Sequence, residues 1–426
     1  NHAGALRMPH PNTTNPFAAT PLMWVALLAV LAIGGCQSQT KPDYSKPLPP
    51  GVSALRKLPA DQWPDLQQAF RNSPGDLSKA LEHSFNWFGK PSTKKHFPGP
   101  AMGVTHDHAR ASVLAFWDAA SRSASPAQFS QRIHEEFDCY TSVGWNGQGT
   151  VLYTGYYSPV FKASVTQTAQ FRYPLYKRPE DLVSDPNGKI LGRDAGGQIT
   201  AYPTRAQIES SPDKQGLAGK ELVWLRDKFE VYLIHVQGSA KLEMTDGSVM
   251  YVGYAGNNGH EYNSVGREMI KDGVLTKDQL SVPAMWKFFN SNPQRLDQYV
   301  NRNPRFVFFR VYQPGVWPSG SLGFAVTGFR SLATDKSVYP RAGVVLVNTA
   351  IPSPAGGLMK FDHFMLDQDT GGAIRAPGRA DIYMGAGPDA QVLAGRQYSE
   401  GRLYYFFLKP QYQTVWMTKM STVASR

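Results

Sequence analysis

The sequence predicts an α+β protein dominated by β-structure, and three observations carry that prediction. Four stretches with helical apolar spacing precede residue 138, the period changes at Gly149 to strand-like sequence, and strand-like segments recur as far as residue 409. In order, residues 60–72, 76–88, 109–121 and 126–137 carry apolar side chains at helical spacing. Ser73-Pro74-Gly75 forms a turn ahead of Asp76, and Ser125 can cap a helix whose first residue is Pro126. Residues 149–161 (GTVLYTGYYSPVF) are rich in β-branched and aromatic residues and read as strand. Residues 178–197 are polar with Pro and Gly, a loop or insertion, and residues 223–237 return to strand character. Residues 265–273 and 279–301 read as helical, whereas 303–312, 343–348 and 401–409 read as strands.

The N-terminal region speaks to location. Residues 23–35 (MWVALLAVLAIGG) form an apolar run of signal-peptide length, too short to span a bilayer by itself. Ile33-Gly34-Gly35-Cys36 reads as a bacterial lipobox, whose small residues let a peptidase approach a cysteine that takes a diacylglyceryl group. Residues 1–35 are then a lipoprotein signal peptide and 36–54 a proline-rich tether anchored through lipid on Cys36. Gln37 lacks the aspartate associated with inner-membrane retention, which points to the outer membrane, facing the periplasm. The other cysteine, Cys139, ends a helical pattern and reads as a buried, inert thiol.

The chain carries a net charge of +11, and losing Arg7 with the signal lowers it by one. Basic residues do not run together, and an exported lipoprotein rarely meets nucleic acid, so nucleic acid is excluded as a partner. The 20 Tyr and 9 Trp are spread along the chain; core packing accounts for many, and the rest suit sugar rings bearing carboxylates.

The segment with most chemical content is Leu366-Asp367-Gln368-Asp369-Thr370-Gly371-Gly372-Ala373-Ile374, followed by Arg379-Ala380-Asp381-Ile382-Tyr383. Carboxylates here stand inside strand-like sequence, where acidic residues are scarce. Apolar neighbours predict that Asp381 is partly desolvated, and desolvation raises a carboxyl pKa toward that of a general acid. Asp367 stands two residues before Asp369, and strand alternation predicts both on one face.

Several blocks together carry a family resemblance. They are Thr154-Gly155-Tyr156-Tyr157-Ser158-Pro159, Tyr173-Pro174-Leu175-Tyr176, Tyr202-Pro203-Thr204-Arg205, Val236-Gln237-Gly238-Ser239 and Tyr254-Ala255-Gly256-Asn257-Asn258-Gly259-His260-Glu261-Tyr262. Further along come Asp335-Lys336-Ser337-Val338-Tyr339-Pro340, Asp369-Thr370-Gly371-Gly372-Ala373-Ile374 and Asp381-Ile382-Tyr383. Over roughly residues 100–410 the chain resembles the membrane-bound lytic murein transglycosylase A (MltA) family, with its C-terminal three-aspartate (3D) domain. The resemblance implies a double-ψ β-barrel domain from residues 55–160 and 306–426, with a smaller β-rich domain, 161–305, inserted into it. A glycan strand of peptidoglycan would lie in the groove between them.

The reaction the resemblance implies is cleavage of the β-1,4 bond between N-acetylmuramic acid and N-acetylglucosamine, ending in a 1,6-anhydro ring. One carboxyl can suffice, because the attacking group is the 6-hydroxyl of the same sugar. By the family pattern Asp381 is the catalytic acid/base, Asp369 its neighbour in catalysis and Asp335 a supporting residue that aligns loops. Thr154, Tyr156, Gln237, Ser239 and Asn258 are the substrate-binding candidates, although a turn alone explains the glycines around Asn258. Arg375-Ala376 departs from the Lys-Gly common in that family, and the connection to Asp381 is a residue longer than in some members.

Two other readings keep the same chain. In one, a two-carboxylate hydrolase pairs Asp381 with Asp369 or Asp367 to activate water; in the other, an expansin-like protein binds glycan without cutting it. No cofactor and no metal is expected: His106-Asp107-His108 and Asp362-His363 have no third ligand at useful spacing. The sequence has no Gly-x-Ser-x-Gly elbow, Pro318-Ser319-Gly320-Ser321 being turn sequence, and no Walker or dinucleotide fingerprint.

Overall fold

A computed structural model describes residues 42–424 except 74, 101, 187, 278, 314–316 and 321. The expected signal peptide and the lipidation residue Cys36 lie outside the described residues. No helix among the described residues is long and apolar enough to cross a membrane. The tether expectation changes over its second half. Tyr44 donates from its hydroxyl to Glu400 at 2.8 Å and meets the Trp145 ring edge-on, so the chain at Tyr44 lies against the folded body.

After the short strand β1 (Leu55–Lys57) come α1 (Leu66–Arg71), α2 (Leu77–Phe88), α3 (His106–Arg122) and α4 (Pro126–Glu136). The first expected helix is shortened because Pro64 separates a 3-10 turn, Ala60–Gln62, from α1. Thr105 and Ser125 accept backbone hydrogen bonds as the N-caps of α3 and α4, as such side chains do at the exposed N–H groups of a first turn. Strands β2 (Phe137–Ser142) and β3 (Val151–Ser158) follow.

The next stretch builds β4 (Val160–Ser164), β5 (Tyr173–Tyr176), β6 (Leu182–Ser184), β7 (Ile190–Asp194), β8 (Ile199–Thr200), α5 (Arg205–Ser210) and β9 (Glu221–Leu225). The polar segment expected as loop thus contains the small sheet β6-β7-β8. The strand expected to run from 223 to 237 stops at Leu225. It is replaced by α6 (Lys228–Gln237), because Asp227 caps the helix by accepting from the Phe229 N–H at 2.7 Å. Residues 231–235 are all buried, and a helix buried all round shows no periodicity that separates it from a buried strand. Gly238 ends α6 at φ +77°, a left-handed cap that glycine adopts without strain. Then come β10 (Ser239–Met244), β11 (Val249–Asn257), α7 (Val265–Lys271), α8 (Val282–Ser291), α9 (Leu296–Val300) and β12 (Val307–Tyr312).

The last third holds β13 (Ser331–Ala333), β14 (Val344–Pro352), β15 (Leu358–Asp369), β16 (Arg379–Ala386), α10 (Pro388–Arg396), β17 (Tyr398–Leu408) and α11 (Pro410–Ala424). Among the described residues an eight-stranded sheet has the order β1-β2-β17-β14-β15-β13-β16-β3, and β3 also pairs with β17, so the hydrogen bonding returns on itself. A six-stranded sheet, β12-β11-β10-β4-β9-β5, belongs wholly to the middle of the chain. The main apolar core joins residues from 54 to 157 with residues from 324 to 416, whereas separate cores unite residues between 161 and 309. Phe116 anchors the main core, meeting the rings of Phe129, Phe137, Phe364 and Phe406. Cys139 is buried there, and burial pushes its thiol well above the usual range, which keeps it inert.

His363 illustrates how the packing sets stability against pH. Its ring stacks on Phe361 at 4.0 Å and its Nδ1 accepts from Arg330 at 2.8 Å. Burial, then the Arg330 charge, lower its pKa to about 4, and burial does the same for His96. The unfolded histidines protonate near 6.5 while the folded ones stay neutral, so stability falls as pH drops from about 6.5 to about 4. We expect His363→Phe, followed by thermal melts across that window, to lose less Tm on acidification than the parent chain.

Candidate active site

Backbone pairing brings the acidic segments together. Strand β13 runs between β15 and β16, with Ala333 opposite Asp369 on one side and Asp381 on the other. Asp381 in turn pairs with Thr154 on β3. Asp369, Ala333, Asp381 and Thr154 therefore form one row across four strands. The two aspartates stand two strand spacings apart, about 10 Å between their Cα atoms, with a methyl group between them.

Asp381 keeps 17 % of its side-chain surface exposed, the partial desolvation its neighbours predict. Its Oδ1 accepts from the Thr154 hydroxyl and faces Arg379 Nη2 at 3.8 Å. The same Nη2 donates to Thr154 Oγ1 at 3.1 Å, and Nη1 donates to the Ala373 carbonyl at 3.0 Å. One carboxyl oxygen is thus fixed by two groups. Oδ2 has no hydrogen-bond partner among the described residues. Arg379 is not among the residues the sequence singles out for a role, although it precedes Asp381 by two residues on a strand and alternation puts both on one face.

Asp369 is only 5 % exposed. Its Oδ2 accepts from the Tyr156 hydroxyl at 2.9 Å and its Oδ1 from the Thr370 N–H at 2.8 Å. Gly320 lies directly over this carboxyl; a Cβ there would come within 2.5 Å of its carbon, so only glycine permits the approach. Burial and the Asp369 charge push the Tyr156 phenol well above its ordinary range, so it remains a proton donor to Asp369.

Asp367 does not share that face. Asp367 and Asp369 pair with the consecutive residues Leu332 and Ala333, so Gln368 is a bulge that cancels the expected alternation. Gln368 is satisfied by Ala80 O, Ser84 and Ser331. Asp367 is fully buried, takes hydrogen bonds from Thr334 at 2.8 Å and Tyr405 at 2.7 Å, and pairs with Lys336. Burial pushes the Asp367 carboxyl up and the Lys336 ammonium down, opposed in each case by the partner's charge.

Asp335 holds loops. Its Oδ1 accepts from the Ser337 N–H and hydroxyl, and its Oδ2 from the Ala376 N–H at 2.7 Å. Ala376 sits at φ +61°, so Asp335 stabilises a strained turn in the connection that leads to Asp381.

Of the other expected residues, Gln237 accepts from the Tyr157 N–H at 3.2 Å, next to the β3 residues of the row. Ser239 lies 3.3 Å from the Ser158 hydroxyl, which also takes the Tyr383 hydroxyl at 2.9 Å. Asn258 is placed elsewhere: 2 % exposed, it donates to Pro203 O and Pro304 O and accepts from the Phe306 N–H, each at 2.8 Å. Both amide N–H groups and the amide oxygen are engaged by backbone, and the side chain is closed to solvent. Among the described residues no three His, Cys, Asp or Glu side chains gather as a metal site. His106 and His108 bond instead to Thr93 and to the Leu408 carbonyl.

Residues 152–310 match the model of the MltA specific insert domain, and residues 330–407 match the 3D domain. The membrane-bound lytic murein transglycosylase A of Escherichia coli K12 is 30 % identical over 283 residues, which cover 64 % of this chain and 70 % of that protein. The chain belongs to the MltA family. Among solved structures, a membrane-bound lytic murein transglycosylase from Agrobacterium tumefaciens superposes with a TM-score of 0.69 at 24 % identity, covering 85 % of this chain and 99 % of its own. Escherichia coli MltA with bound chitohexaose gives 0.59 at 22 % identity, covering 88 % and 98 %. At these identities the likeness speaks for the fold, a mixed α+β architecture dominated by sheets. The 3D match begins at Arg330, just ahead of β13, and ends within β17, and the insert match begins within β3 and ends within β12, so the row that holds Asp381 uses strands from both matched regions.

Removing one member of the buried Asp367 pair leaves the other charge uncompensated. Lys336→Met is expected to lower stability by about 3–5 kcal/mol in denaturant unfolding, and Lys336→Met with Asp367→Leu to recover most of that loss.

Proposed function

We propose that this protein is a lytic transglycosylase that cleaves peptidoglycan between N-acetylmuramic acid and N-acetylglucosamine, with Asp381 as its single acid/base. The observation that carries the reading is the asymmetry of the row. Asp381 has one oxygen held by Thr154 and Arg379 and the other unpartnered, whereas both oxygens of Asp369 are engaged and Asp367 is fully buried. A hydrolase needs a second carboxylate that meets water, and neither neighbour is placed to do so. Membership of a family whose curated relatives are named lytic murein transglycosylases supports the same reaction. The chitohexaose bound by the Escherichia coli protein supports a glycan as ligand.

In this reading the protonated Asp381 gives its proton to the glycosidic oxygen, and positive charge develops at C1 of the muramic residue. The 6-hydroxyl of that sugar attacks C1 and returns its proton to the Asp381 carboxylate. The products are a glycan with a free 4-hydroxyl and a 1,6-anhydromuramic end, and the enzyme is restored without consuming water. Thr154 and Arg379 orient the carboxyl, Asp369 fixes Tyr156, and Asp335 shapes the approach loop. Gln237 and Ser239 bond to Tyr157 and Ser158 at the end of β3, a position that supports a role for both in holding the glycan beside the row. Membrane association through lipid on Cys36, at the periplasmic face of the outer membrane, accords with relatives named as membrane-bound.

Replacing Asp381 by Asn removes the transferable proton while preserving shape. We expect Asp381→Asn to lower release of anhydro-ended fragments from purified peptidoglycan by about 10²–10⁴-fold or more, read by mass spectrometry. Release by the variant at the parent rate contradicts the assignment.

A further inference from the structure

The insert region contains a cavity of about 240 Å³ that the cleavage chemistry does not use. Arg205 and Glu209 on α5, Lys228 on α6, and Arg172 and Lys214 line it together with the rings of Tyr173 and Tyr176. Four cations thus face one acid: Glu209 pairs with Arg205 at 3.1 Å and with Lys228 at 2.5 Å, Lys228 is shared with Asp297 outside the cavity wall, and Lys214 donates to the Glu209 carbonyl at 2.8 Å, which leaves Arg172 and the Arg205 Nε without an acidic partner. Arg205 is 1 % exposed, and its Nε has no hydrogen-bond partner among the described residues. Its Nη2 is held by His235 at 2.9 Å and by the Arg305 carbonyl at 2.8 Å, so the guanidinium cannot swing away to satisfy that N–H. A buried, unpaired guanidinium N–H is costly and calls for an acceptor. At the surface, Arg172 rests over the Tyr173 ring at 5.6 Å and makes no ion pair among the described residues. The remaining walls are apolar, including Ile208, Val231 and Phe306. An anion carried on aliphatic atoms fits such a site better than a bare, fully hydrated one.

The cavity's place in the fold narrows the ligand further. Helix α6 links it to the row of active-site strands: Lys228 at its first residue lines the cavity, and Gln237 at its last accepts from the Tyr157 N–H. That helix spans about 14 Å, the reach of about four extended peptide residues. A cavity of this size holds the end of a short peptide and not a whole glycan chain. We propose that this cavity binds the carboxylate-bearing end of the short peptide carried by peptidoglycan strands while the glycan lies at Asp381. Arg205 fixes the carboxylate and Arg172 closes over it from the rim. The inference rests on the peptidoglycan reading above.

The test uses the full chain in detergent and isothermal titration with a free stem tetrapeptide, the same peptide as its C-terminal amide with side-chain carboxyls amidated, and inorganic phosphate. The acid peptide is expected to bind, with the amide and the surface variant Arg172→Glu each at least about tenfold weaker. In parallel, kcat/KM is compared on strands with and without peptides. The parent chain is expected to favour peptide-bearing strands, and Arg172→Glu to lose that preference. Equal binding of acid and amide, unchanged binding by Arg172→Glu, or phosphate binding as tightly as the peptide overturns the proposal. If neither kind of strand is cut, the peptidoglycan reading fails, and the titration still reports on the cavity. If both are cut equally, the cavity proposal fails alone.

Discussion

The proposed active site depends on a constraint of register: Asp369, Ala333, Asp381 and Thr154 must stay opposite one another across β15, β13, β16 and β3. A slip of one residue at either edge would send an aspartate to the other face of the sheet. Strand β13 is only three residues long and cannot hold that register by its own ladder. It is held by what surrounds it. Phe329 N–H bonds to Tyr383 O at 2.7 Å, Leu366 N–H to Arg330 O at 2.7 Å and Thr334 N–H to Asp369 O at 3.1 Å, so the short strand is fastened just outside both ends.

The same constraint gives the aspartates different roles without any change of chemistry. The Gln368 bulge turns Asp367 toward Lys336, Thr334 and Tyr405, where a buried ion pair is sensitive to loss of either partner and marks a structural position. It leaves Asp369 facing Tyr156 under Gly320, engaged and closed to solvent. Only Asp381 combines a fixed oxygen with an unpartnered one and partial exposure. A single mobile proton is what a reaction with an internal nucleophile requires. In the proposed reaction the neighbouring carboxyls contribute geometry and the chemistry rests on Asp381.

Much of this was legible before the structure. The Thr154 and Asp381 strands announce themselves by β-branched and aromatic residues, the cap of α4 by Ser125 ahead of Pro126, and the start of α2 by the turn residues before Asp76. What was hidden depends on contacts far apart in sequence. Residues 223–237 read as strand because 231–235 are buried on all sides; the Asp227 cap and Gly238 are the local signs that separate helix from strand there. The separation of Asp367 from Asp369 arises from pairing with a strand more than thirty residues away, which no local pattern encodes. Asn258 reads locally as a turn residue among glycines, and its actual work, bridging Pro203, Pro304 and Phe306, is tertiary.

The central claim is that one carboxyl acts with a nucleophile internal to the substrate, so water takes no part in bond cleavage. Digestion of purified peptidoglycan by the full chain in H₂¹⁸O, with mass analysis of the new muramic ends, tests this most directly. The account predicts anhydro ends that carry no ¹⁸O from the first turnover onward. Hydrated muramic ends bearing one ¹⁸O at C1 would contradict it and would require a second group that activates water.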